Sequence, residues 1–194
     1  MNKPARPNAV SNLDGSKTHY FDFDPTEENA LSIIKTLFEK HWKEIVFGPA
    51  LQGSIFELHF SEKPKVGYLD GYLTIGPPPK GAWHFHLCVG THKGTKSKPT
   101  PSELSVWRRC SRIAFFVDKN AEERPTSWGL RLWNGKEEQM ITVFFPNPWL
   151  NANRTGFVKT PDWTKLDLWM KMRKQYCGIP PEDGPTPSYV SRVL

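Results

Sequence analysis

With 194 residues, 38% of them apolar and 24% charged, the chain is long enough to bury a proper core, and no apolar run approaches the ~20 residues of a membrane span. A net charge of +6 and a pI near 9.2 favour anionic partners without the extreme basicity that would single out nucleic acid. Cys88, Cys110 and Cys177 fit no disulfide framework, and the opening Met1-Asn2-Lys3-Pro4-Ala5 lacks a secretion signal's apolar stretch; the expectation is a cytoplasmic protein with no membrane partner.

Residues 1–18, rich in Pro, Asn, Ser and Gly, read as a flexible arm, with a short edge strand at His19–Phe23. Asp24-Pro25-Thr26-Glu27 has the grammar of a helix start: a cap, a proline in the first turn and an acid three residues after the cap. Leu31, Ile34, Leu37, Phe38, Trp42 and Ile45 follow at helical spacing, which predicts an amphipathic helix over 25–46. His41 beside that stripe reads as structural.

Three strands are predicted next. Over 53–61, Phe56, Leu58 and Phe60 alternate with Glu57, His59 and Ser61. Over 66–75, Leu69, Leu73 and Ile75 face one way and Tyr68, Asp70, Tyr72 and Thr74 the other. Pro77-Pro78-Pro79 stops the pairing, and Trp83, Phe85, Leu87 and Val89 then alternate with His84, His86 and Cys88. If all three are neighbours in one sheet, Glu57, His59, Asp70, Tyr72, His84, His86 and Cys88 share a surface.

Residues 91–101 form a basic loop with His92, Lys93, Lys96 and Lys98. Thr100-Pro101-Ser102-Glu103 opens a predicted helix to about Val117, with Val106, Trp107, Cys110, Ile113, Ala114 and Val117 as its buried face and Arg108, Arg109 and Arg112 beside it. Ser127–Trp133 and Glu138–Phe145 form a hairpin around Asn134-Gly135, with Arg131 and Trp133 on the outward side. A last helix opens at Thr160-Pro161-Asp162 and closes at Gly178-Ile179-Pro180, before an extended tail over 181–194. Residues 19–180 are therefore read as a single α+β domain in the order α-β-β-β-α-β-β-α: a largely antiparallel sheet of about five strands with three helices on one face.

Alternate residues of a strand stand about 6.5–7 Å apart and point the same way, so His84-x-His86 is half of a metal site and Glu57-x-His59 a second pair of donors. His84-Phe85-His86 resembles the metal strand of the α-class carbonic anhydrases, in which two His of a strand are joined by a third. The expected ligands are His59, His84 and His86 for zinc or iron, with Cys88 and His92 as further ligands. Glu57, Asp70 and Tyr72 would serve as acid or base. Arg131, Trp133, Arg108 and Lys93 would hold a small anionic or aromatic substrate.

That constellation suggests a metal-dependent enzyme, a hydrolase, lyase or oxygenase. The alternative from the same aromatic and basic face is a non-catalytic module. It would carry a tetrapyrrole with His84 or His86 as axial ligand, or bind single-stranded nucleic acid. The modest pI and the lack of an RNP-like segment weigh against nucleic acid; a homodimer is left open.

Overall fold

The computed structural model describes residues 8–51, 53–77 and 83–178. In chain order the elements are β1 (Asn8–Ser11), β2 (Lys17–Phe23), α1 (Glu27–Lys40), β3 (Val46–Gly48), β4 (Ala50–Leu51) and β5 (Ser54–Ile55), then β6 (Lys65–Leu69), β7 (Tyr72–Gly76) and β8 (Phe85–Cys88). There follow α2 (Ser102–Arg108), β9 (Cys110–Lys119), β10 (Pro125–Asn134), β11 (Gln139–Phe144), a 3-10 turn at Trp163–Leu166 and α3 (Asp167–Cys177). Among the described residues the fold is α+β with mostly antiparallel sheets and three helices. Its largest sheet has six strands, in the order β1-β2-β9-β10-β11-β3, and β6-β7-β8 and β4-β5 form sheets of their own. Among the described residues no helix is long and apolar enough to cross a membrane.

The chain divides into two compact units. In the one made of 1–23, 114–130 and 144–194, the core is aromatic. Trp169 of α3 meets Phe21 at 5.9 Å and Phe115 at 6.1 Å, both edge-on, and Phe115 meets Phe145 at 6.2 Å. The Arg173 guanidinium lies over Phe21 and Trp169 at 4.5 and 4.7 Å, a cation–π arrangement that lets a buried charge keep an attractive partner. Gly178 takes φ +64° and caps α3 as the sequence predicts. The Ile179-Pro180 that follows, the 181–194 tail and residues 1–7 lie outside the described residues.

In the unit made of 24–113 and 131–143, α1 buries Ala30, Ile33, Ile34, Leu37 and Phe38. Phe38 meets Phe47 edge-on at 4.7 Å, and Phe47 stacks on Phe60 at 5.3 Å. Thr26, not Asp24, caps α1, its hydroxyl accepting from the Asn29 N–H at 3.2 Å. His41 closes the helix, and its imidazole bonds Glu44 at 2.7 Å, the structural role its position suggests.

Several predicted elements differ. Part of the arm, residues 8–11 and 17–18, belongs to strands β1 and β2. The helix to Val117 ends at Arg108; Cys110–Lys119 is a strand. Ile113, Ala114, Phe115 and Phe116 are all fully buried, and a strand covered on both faces is an unbroken apolar run that periodicity cannot tell from a helix. Val106 and Trp107, expected in the core, are exposed. The predicted strand over 53–61 shrinks to β5 and one bridge between Phe47 and Leu58, and Phe56 is 58% exposed where burial was expected. The predicted strand over 66–75 is a hairpin. Asp70 at φ +47° and Gly71 at φ +82° make a two-residue turn with both residues left-handed, so β6 folds back on β7. Pro77 follows β7; Pro78 and Pro79 lie outside the described residues. The hairpin between β10 and β11 forms as read, but its turn is a longer loop over 135–138 in which Glu137 at φ +61°, and neither Asn134 nor Gly135, is left-handed.

Candidate functional site

In β6-β7-β8 the register pairs Val66, Ile75 and Phe85 in one row and Tyr68, Leu73 and Leu87 in another. Paired residues of an antiparallel sheet point to the same face. Leu73, Ile75 and Leu87 are buried, so this is the core side. The other face carries Gly67, Thr74 and His86 in one row and Leu69, Tyr72 and Cys88 in the next. Lys65 and Gly76 form a third row, with His84 beside them: a Cβ on Gly76 would stand 3.1 Å from the His84 Cβ.

The Lys65, Gly67, Thr74, Gly76, Trp83, His84 and His86 side of this face lines a largely apolar cavity of about 450 Å³, within the range of small-molecule pockets. The two imidazoles meet edge-on at 4.6 Å. His86 Nδ1 is hydrogen-bonded to Thr74 Oγ1 at 2.9 Å, which leaves Nε2 as its second nitrogen. Gly67 is informative because the fold does not require it. Its φ is not left-handed, and a Cβ there would meet nothing within 4 Å. A glycine in mid-strand weakens the strand and often marks the approach of a ligand.

The Leu69, Tyr72 and Cys88 row ends in a polar cluster. The Tyr72 phenol interacts with the Cys88 thiol and with Arg108; its pKa is pushed up, mainly by burial and then by Cys88, while Arg108 opposes the rise. Burial also pushes the Cys88 thiol up, so it stays protonated, with Sγ to the Gly90 carbonyl at 3.4 Å. Tyr72 packs edge-on against His92 at 5.1 Å.

Asp70 is not aimed into the cavity. Its carboxylate accepts from the N–H groups of Lys93 and Gly94, both at 2.9 Å, and those bonds hold its pKa down. His92 completes the same structural set, Nδ1 to Thr100 Oγ1 at 2.9 Å and Nε2 facing Asp70 at 3.5 Å. The basic loop is thus stapled to the β6–β7 turn, with the Lys93, Lys96 and Lys98 side chains exposed.

The remaining expected residues lie elsewhere. Glu57 is exposed outside any strand, and the His59 imidazole bonds the Lys43 carbonyl at 3.1 Å. Arg131 Nε donates to Thr142 at 3.2 Å on the β10–β11 hairpin, and Trp133 is buried under the Arg112 guanidinium at 4.3 Å. Among the described residues no three His, Cys, Asp or Glu side chains are grouped to hold a metal ion. The shared surface therefore survives for Tyr72, Thr74, His84, His86 and Cys88 and fails for Glu57, His59 and Asp70. The three-imidazole set is therefore not brought together among the described residues, because His59 lies on a stretch that does not join this sheet. Lys65, Gly67 and Gly76 escaped the sequence reading; recognising Asp70-Gly71 as a hairpin turn would have placed Gly67 opposite Thr74.

These features define an α+β protein with one open, imidazole-bearing sheet face. The chain belongs to a family of unknown function, DUF7676, whose model matches residues 7–178. No curated protein matches it. Among solved structures, protein AGR_C_4470 from Agrobacterium tumefaciens is 14% identical, with a TM-score of 0.47 over 85% of this chain and 73% of that one. ChuX is 13% identical, with a TM-score of 0.45 over 82% of this chain and 78% of that one. Likenesses this distant carry no functional inference.

Proposed function

We propose that the open face of β6-β7-β8 binds a planar, largely apolar small molecule with acidic substituents, a tetrapyrrole such as haem, and that the protein is a carrier of that molecule. The observation that carries the reading is the Thr74–His86 pair above a glycine floor. A metal-bound imidazole uses one nitrogen, and its other N–H is normally held by an acceptor. Here Nδ1 is held by Thr74 at 2.9 Å, so Nε2 is the nitrogen suited to iron.

Ligand count also separates this reading from the metal-enzyme one. An open zinc or iron site needs about three protein ligands, and the described residues do not group three. A tetrapyrrole brings four nitrogens of its own, so a single imidazole suffices. Gly67 leaves its part of the floor without a side chain, Trp83, stacked on buried Phe60 at 5.3 Å, borders the cavity, and Lys65 at one end and Arg108 at the other would meet carboxylates.

Haemin titrated into protein purified without a His-tag should give a saturable shift of the haem absorption band. His86→Ala should abolish the shifted spectrum, His84→Ala should weaken binding less, and His59→Ala should change nothing. A spectrum that never saturates, or His86→Ala binding as the wild type does, would overturn the proposal. Stoichiometric zinc or iron without haem would restore the metal-enzyme reading.

A further inference from the structure

Among the described residues β1 is the outermost strand of the six-stranded sheet, and its four residues are all exposed. The phase of its ladder is fixed. The Asn12 N–H donates to the Ser16 carbonyl at 2.8 Å, and the register runs Ser11 with Lys17, Val10 with Thr18, Ala9 with His19 and Asn8 with Tyr20. Hydrogen-bonded and non-bonded pairs alternate along an antiparallel ladder. Asn8 and Val10 therefore aim their backbone groups at β2, while Ala9 and Ser11 aim theirs outward.

An outward row of N–H and C=O groups is a template for another strand, and proteins commonly blunt it with lysine, proline or a bulge. Asn8-Ala9-Val10-Ser11 has none of these. The opposite edge of the sheet is treated differently. In β3 the Phe47 N–H donates to the Leu58 carbonyl at 3.0 Å, and the Leu58 N–H to the Phe47 carbonyl at 2.8 Å, so that edge is already closed.

We propose that β1 pairs antiparallel with β1 of a second copy of this chain, about a two-fold axis through Val10. The occupant follows from the register. Two outward residues two apart are self-complementary: Ala9 exchanges both backbone bonds with the partner's Ser11, and Ser11 does the same with the partner's Ala9. On the axis Val10, 42% exposed in the single chain, packs against its own copy as a close, non-bonded cross-strand pair. Closed two-fold pairing of this kind is the commonest symmetry of soluble oligomers. The contact is small, so the dimer is weak and its population depends on concentration. This inference does not rest on the tetrapyrrole reading.

Sedimentation velocity of the full chain over about two decades of concentration tests it. The mass should climb from 22.3 kDa toward twice that value. Ala9→Pro deletes an outward N–H and leaves the bonds to β2 intact. Val10→Lys keeps every backbone donor and sets two like charges on the axis. Both variants should stay monomeric at every concentration, with wild-type circular dichroism. Val10→Lys decides the matter alone if Ala9→Pro disturbs β1. A wild type that is monomeric throughout, or a dimer that persists in Val10→Lys, would overturn the proposal.

Discussion

β8 and the middle of β9 are strands under opposite demands. In β8, Leu87 is buried while its neighbour His86 is exposed. In β9, every residue from Ile113 through Val117 is buried. A strand covered on one face can spare every second residue for a ligand. A strand covered on both spends all of them on packing, and its contribution is stability alone.

The largest effect expected from this contrast is at Phe115. It is fully buried, with Trp169 edge-on at 6.1 Å, and Phe115→Ala should cost about 3–5 kcal/mol in denaturant unfolding. Within β7 the same contrast can be read one residue apart. Leu73→Ala on the core face should cost about 2–5 kcal/mol, whereas Thr74→Ala beside it should cost about 1 kcal/mol, the scale of one hydrogen bond. Equal costs at 73 and 74 would mean that the outer face is covered, and the assignment of faces would fall.

Gly67→Val sharpens the comparison further. Valine favours a strand, so stability should hold or rise by up to about 1 kcal/mol, while haemin affinity should drop as the side chain fills the floor. A variant that gains stability and keeps full affinity would move the ligand off this face.

A subtler effect concerns pH. The Asp70 carboxyl is held below the usual carboxylate range by the Lys93 and Gly94 N–H groups. Its contribution is fully present above the unfolded value of about 3.9 and is lost as pH falls through the lower folded value. Amide exchange at Lys93 and Gly94 should stay protected at neutral pH and lose protection in strong acid. Asp70→Ala should lose that protection at every pH. The smallest effect expected is none at all. Burial raises the Cys110 thiol to about 12, and alkylating reagents should leave it unmodified in the native protein at pH 8.

How far the sequence could be read follows the same division. β8 was legible because its sequence alternates and His86 on the outer face stays exposed beside buried Leu87, although Cys88 further along that face is covered. β9 was not, since a doubly buried strand carries no period. The 53–61 stretch failed for a third reason: Phe56, Leu58 and Phe60 alternate, but only Phe60 is buried, and two-residue β5 lacks the sheet neighbours that would make alternation mean anything. The half of the site on β7 and β8 was visible as residues on one surface. The half expected from His59 is not brought to this surface, its imidazole being bonded to the Lys43 carbonyl. Gly67 stayed hidden because a glycine signals a ligand only after its freedom from backbone constraint is known.

The pairings of β6, β7 and β8 all close within residues 65–88, whereas β2 must find β9, with 17–23 waiting for 110–119. Loop-closure entropy delays contacts between distant segments, and chains form their local pairings first. The meander that carries His84 and His86 should therefore assemble early, with the six-stranded sheet completed later. During synthesis the proposed ligand face would be in place while the strand that completes the β2–β9 pairing was still being made.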